Sequence, residues 1–133
     1  MKSKPSLTKM FKYVQEWCDV TEIETATTPR NIIMNRVMLR NNLMAEENKE
    51  YLEACLAGDT VEIADALGDM LYILLGTMLE HGMQDYIDGV FGEIHRSNMS
   101  KMGEDGKPVR RQDGKILKGP NYFRPNIAKI IKE

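Results

Sequence analysis

The chain reads as all-α: an antiparallel helical bundle of four to five helices with a small C-terminal β-hairpin tail. Three observations lead there. Apolar residues recur at helical spacing through most of the first 100 positions. Gly58 and Gly82 close two long periodic segments, where helices commonly stop. The strongest hairpin signal, Asp113-Gly114, lies in the tail.

The first helix spans residues 6–19, with Leu7, Met10, Phe11, Val14, Trp17 and Cys18 on one side and Trp17 read as core. A Thr- and Glu-rich linker covers 21–28. The second helix begins at Thr28-Pro29, a capping hydroxyl followed by proline at the first helical position, and runs to Ala57. Ile33, Val37, Leu43 and Ala54 form its buried stripe. The third helix opens on Asp59 or Thr60 as N-cap and ends at His81-Gly82. Its nearly continuous apolar run over 66–79 makes it the central helix. Gly68 and Gly76, each costing about 1 kcal/mol in a helix interior, mark close approaches of another helix. The fourth helix covers 84–97, with Gly89 and Gly92 again small. Beyond it, residues 109–117 form a hairpin around a two-residue Asp113-Gly114 turn, a turn-rich segment covers 119–125, and a short helix spans 125–132.

At 133 residues this is one domain, a helical body over about 1–100 and a basic tail over 101–133. The net charge of −2 hides an asymmetry: 9 Lys/Arg against 16 Asp/Glu in residues 1–100, and 9 against 4 thereafter. An acidic body with a basic tail suits a site where metal ions meet an anionic ligand, or a solvated tail that aids solubility. The tail lacks a series of stacking aromatics, which argues against nucleic-acid binding. Cys18 and Cys55 make no disulfide framework; both are read as small packed hydrophobes and, being reduced, suit the cytoplasm. Met1-Lys2-Ser3-Lys4-Pro5 precedes no apolar run, so no signal peptide is expected, and the longest apolar stretch is too short to span a bilayer.

Two carboxylate clusters carry the chemistry. Glu46, Glu47 and Glu50 share one broad face of the second helix, while Glu62, Asp65 and Asp69 form one stripe on the third. A tight turn between the helices would place Glu50 about 10 Å and Asp65 about 7 Å from it, with Glu47 and Asp69 matched further down. Facing acid stripes repel unless a cation lies between them, and hard divalent ions such as Mg²⁺ take all-oxygen ligand sets. The competing reading is a solvated helix face, with Glu62 as a capping-box partner of Asp59. Further along, Asn98 and Lys101 lie three apart at the end of the fourth helix. There a lysine offers a point charge to phosphate and an asparagine can read a base edge or cap the helix. Tyr122 suits stacking on a nucleoside or anchoring of the tail. Arg36 and Arg40 suit salt bridges better than phosphate contact, and His95 a polar helix contact better than catalysis.

Glu46-Glu47-x-x-Glu50 followed by Glu62-x-x-Asp65 resembles the EExxE…ExxD signature of the all-α nucleoside triphosphate pyrophosphohydrolases, which include the MazG-like enzymes and phosphoribosyl-ATP pyrophosphohydrolase. Residues 93–101, with Ser97-Asn98-Met99-Ser100-Lys101, and Gly119-Pro120-Asn121-Tyr122-Phe123 are similar to the phosphoribosyl-ATP-pyrophosphohydrolase-like branch, so the resemblance covers about 36–125. It implies a homodimer or dimer of dimers holding Mg²⁺, with Mn²⁺ as a substitute. It also implies hydrolysis of a nucleotide substrate, a (deoxy)NTP, to the monophosphate and pyrophosphate. Glu47, Glu50, Glu62 and Asp65 would be the metal ligands, Glu46 a holder of a further ion or of the attacking water, and Asp69 a substrate contact or a partner to the ligands. Two alternatives stand beside this reading: phosphoribosyl-ATP pyrophosphohydrolase of histidine biosynthesis, and a non-catalytic nucleotide-binding helical module.

Overall fold

A computed structural model describes residues 6–132; the N-terminal pentapeptide on which the signal-peptide reading rests lies outside them. The elements in chain order are α1 (Leu7–Val20), α2 (Met34–Ala57), α3 (Thr60–His81), α4 (Ile87–Met99), β1 (Val109–Arg110), β2 (Ile116–Leu117) and α5 (Ile127–Ile131). The described residues form two compact units that divide after Gln84. Among the described residues, no helix is long and apolar enough to cross a membrane.

In the first unit α3 packs against both α1 and α2. Its core is Phe11, Val14 and Cys18 of α1 with Ala54, Ala66, Leu75 and Leu79. Trp17 is 53 % exposed, contrary to its reading as core, because the buried side of α1 is the narrower stripe of Phe11, Val14 and Cys18. Cys55 is likewise exposed, on the outer side of α2.

The start of α2 differs most from expectation. Thr28-Pro29 does not open it; the helix begins at Met34 after Ile33, which lacks a side-chain cap and is 68 % exposed. The residues before it are tied to the end of α3 instead. Ala26 N–H donates to the Leu79 carbonyl at 3.0 Å and Arg30 N–H to that of His81 at 2.9 Å. Arg30 Nε reaches the Glu80 carbonyl at 2.9 Å, and His81 Nδ1 donates to the Arg30 carbonyl at 2.8 Å. Helix ends leave carbonyls without intrahelical donors, and this segment supplies them. Gly82, left-handed at φ 70, sits so close to Thr28 that no Cβ would fit.

The α2–α3 turn follows its sequence signals closely. Gly58 adopts φ 67 as C-cap, and Asp59 accepts from the N–H groups of Val61 and Glu62. The reciprocal half of a capping box is closed to Glu62, because Asp59 N–H already donates to the Ala54 carbonyl at 3.1 Å. Gly76 is a close approach, as expected: a Cβ there would lie 2.8 Å from Arg40 Nη2. Gly68 is not, with nothing within 4 Å, and the same holds for Gly92.

In the second unit α4 starts three residues later than expected, at Ile87, and packs on α5. β1 and β2 pair antiparallel, Val109 with Leu117 and Arg110 with Ile116. The loop is longer than the two-residue turn expected. Gly114 N–H donates to Arg111 O at 2.9 Å and Arg111 N–H to Lys115 O at 2.8 Å, which leaves Gln112, Asp113 and Gly114 in the loop. Gly114 at φ 89 supplies the left-handed residue that closes such a three-residue connection.

Candidate metal centre and active site

The α2–α3 hairpin brings acids together by equal steps. Glu47 stands eleven residues before Gly58 and Asp69 eleven after it, so two antiparallel helices of the same rise place them level. Glu47, Glu50 and Asp69 each offer a carboxylate oxygen, all within 4.8 Å of one another. Glu50 is exposed, whereas Glu47 is half-buried and its Oε2 is sealed from solvent without a hydrogen-bond partner. Burial of the carboxylate pushes Glu47 up to about 7, helped by the neighbouring carboxylates of Glu50, Asp69 and Asp65.

Nearer the turn, Glu50, Glu62 and Asp65 line an open groove of about 270 Å³ together with Glu53 and Asp59, floored by Ala54 and Ala66. Glu50 belongs to both groups, so the acids form one continuous strip. Glu53, which the motif passes over, faces the same groove and pairs with Lys49 at 3.9 Å. The signal for it was its position one turn after Lys49 and three residues after Glu50. Glu46 is exposed and stands outside both groups.

Among the described residues, none of Glu46, Glu47, Glu50, Glu62, Asp65 and Asp69 makes an ion pair with Lys or Arg. The donors are oxygens only, the most buried of them lacks a partner, and mutual repulsion raises its affinity for a proton. Such a set fits a hard divalent cation, which would replace the proton and satisfy several carboxylates at once.

The nearby arginines have another occupation. Arg36 donates to Glu80 through Nε at 2.9 Å and Nη2 at 3.0 Å. Arg40, 8 % exposed, lies 3.3 Å from the same carboxylate and donates to Thr77 Oγ1 and the Ile73 carbonyl. Salt bridges are what the sequence reading favoured for both, but Glu80, itself 2 % exposed, was not recognised as the partner. It follows directly on the apolar run of α3, more than forty positions away from Arg36, where no local spacing points to it.

Asn98, Lys101 and Tyr122 belong to the second unit. Asn98 is exposed in the last turn of α4 and is not its cap; Ser100 is. Lys101 follows directly, half-buried, its N–H donating to Asn98 O at 3.1 Å. Tyr122 is half-buried with the Lys118 ammonium 4.9 Å over its ring. His95 is exposed.

A helical hairpin with an oxygen-only acid cluster in EExxE…ExxD order defines the class of all-α pyrophosphohydrolases. Residues 14–98 match the phosphoribosyl-ATP pyrophosphohydrolase family, and the chain belongs to that family, within the MazG-like all-α superfamily. The match takes in α1 from Val14 and stops at Asn98, so it starts earlier than the resemblance at 36–125 and leaves Lys101 and Tyr122 outside. No curated protein matches the chain closely.

Proposed function

We propose that this pyrophosphohydrolase acts on a (deoxy)nucleoside triphosphate and requires Mg²⁺, with Mn²⁺ as a substitute. The observation that carries the reading is the grouping of Glu47, Glu50 and Asp69 around a sealed, unpartnered carboxylate oxygen. Glu47 and Glu50 would hold the metal where Asp69 faces them, with Glu62 and Asp65 offering further carboxylates along the groove toward the turn; when bound it would polarise the phosphoryl oxygens and neutralise the departing pyrophosphate. Water adds to the α-phosphorus as the bond to the β-phosphoryl oxygen breaks, giving the monophosphate and pyrophosphate. Glu46, exposed beside Glu47, orients that water and takes its proton. Asp69 completes the acid strip from the α3 side, while Asn98, Lys101 and Tyr122 contact the nucleotide. Free thiols suit a cytoplasmic setting. The exposed apolar side chains of α2 and α3, Leu52, Leu56, Leu67 and Leu71 among them, suit a homodimer or dimer of dimers.

The test is pyrophosphate release from a panel of canonical, deoxy and modified NTPs, in Mg²⁺ and in EDTA. Metal-dependent release with a matching monophosphate is expected, and Glu50→Ala and Asp65→Ala should lose it. Variants that fold and keep normal turnover would sink the ligand assignment. The family's own description favours a second reading, in which phosphoribosyl-ATP is the substrate. Growth of a histidine auxotroph on this chain, with no release from ordinary NTPs, would select it.

A further inference from the structure

The segment after the hairpin is fastened to the end of α4 at two points. Gly119 N–H donates to the Lys101 carbonyl at 2.8 Å, and a Cβ on Gly119 would lie 2.5 Å from the carbonyl oxygens of both Lys101 and Met102. Only glycine permits that contact. Four residues on, both polar groups of the Phe123 backbone are bound by serines. Ser97 Oγ donates to the Phe123 carbonyl at 2.8 Å, and Phe123 N–H donates to Ser100 Oγ at 3.1 Å. Ser100 Oγ–H in turn donates to the Ser97 carbonyl at 2.6 Å, which orients its acceptor lone pairs toward Phe123. Ser97 is 3 % exposed, so this is an internal clasp and not a hydrated surface contact. The Arg96 guanidinium lies 4.4 Å over the Phe123 ring and adds to it.

Lys101 is held inside this clasp. Its N–H is bonded to Asn98 O and its carbonyl to Gly119 N–H, yet this half-buried residue's ammonium has no carboxylate partner among the described residues. A backbone pinned on both sides under a cation left free is the arrangement of a charge positioned for an incoming anion. We propose that Ser97, Ser100 and Gly119 are positioning residues that hold Lys101 for the oligophosphate of the substrate, with Ser100 acting through Lys101. The inference rests on the nucleotide-hydrolase reading above and assigns these three residues a role in it.

Calorimetric titration of the full chain with inorganic tripolyphosphate in EDTA reads this cation apart from any metal. Lys101→Ala should weaken binding, and Ser100→Ala should weaken it about tenfold as the clasp loosens; Ser100→Thr, which keeps the hydroxyl, should restore it. In the Ser100→Ala/Lys101→Ala double variant the loss should equal that of Lys101→Ala alone, the signature of one residue working through the other. With NTP the same variants should show the loss in KM more than in kcat. Additive losses, an unaffected Ser100→Ala, or a wild type that binds no tripolyphosphate would each overturn the proposal. Ser97→Ala runs in the same cycle; if neither serine variant folds, the hydroxyls serve stability and the proposal fails. A wild type that binds tripolyphosphate but hydrolyses no nucleotide would end the nucleotide-hydrolase reading and leave the clasp standing.

Discussion

Glu47→Gln should make the metal-free protein more stable while removing its response to divalent cations. Glu47 is pushed from 4.5 up to about 7, first by burial and then by Glu50, Asp69 and Asp65. A displacement of that size corresponds to roughly 3 kcal/mol between the protonated and ionised forms, and solvent screening at a half-buried carboxylate beside the exposed Glu50 leaves about 1 kcal/mol. The sign follows from linkage. A carboxyl whose folded value is raised burdens the fold when ionised, so the penalty is full above pH 7 and is relieved as pH falls toward 4.5. Glutamine imitates the protonated form at every pH. Thermal unfolding in EDTA should therefore show Glu47→Gln about 3 °C above wild type at pH 8, with the gap closing by about pH 5. Millimolar Mg²⁺ at pH 8 should raise the wild-type midpoint by binding the native state and leave the variant nearly unmoved. A variant less stable than wild type in EDTA at pH 8, or one that Mg²⁺ stabilises equally, would refute the reasoning. The proton belongs to the interacting cluster as a whole, so Asp69→Asn should reproduce the direction of the effect.

Three further outcomes rest on single contacts. Glu80→Ala leaves Arg36 and Arg40 without their shared carboxylate and should cost about 3–5 kcal/mol in urea unfolding, since the buried Arg40 loses its counterion; a loss below about 1 kcal/mol would show that the arginines find other partners. Gly76→Ala should destabilise by about 1–3 kcal/mol because its Cβ would crowd Arg40 Nη2, whereas Gly68→Ala, in open space, should stabilise by up to about 1 kcal/mol; similar shifts at both sites in a denaturant melt would contradict this contrast. Asp59→Ala should cost about 1 kcal/mol through the lost cap of α3, and unchanged stability would mean that water replaces the carboxylate.

What the residues determine locally was legible in order. Ser6 caps α1, Gly58 ends α2, Asp59 caps α3 and Gly82 ends it, each through hydrogen bonds reaching no more than a few positions along the chain. The level pairing of Glu47 with Asp69 was legible for the same reason, because a short turn makes helical rise a ruler on both sides of it. Tertiary contacts decided the rest. Thr28-Pro29 has the chemistry of a helix start, yet the chain there is spent on the carbonyls at the end of α3, and bonds across about fifty positions outweigh a local preference worth about 1 kcal/mol. Trp17 and Ile33 fit apolar stripes by spacing, but only the placement of neighbouring helices selects which part of a stripe is covered. Glu80 is invisible as an ion-pair partner until α2 and α3 lie side by side. The clasp of Ser97 and Ser100 on Phe123 likewise joins residues more than twenty positions apart, through backbone groups that carry no mark in the sequence. Hydrogen bonds to near neighbours follow from residue order; a partner chosen across the fold follows only from packing.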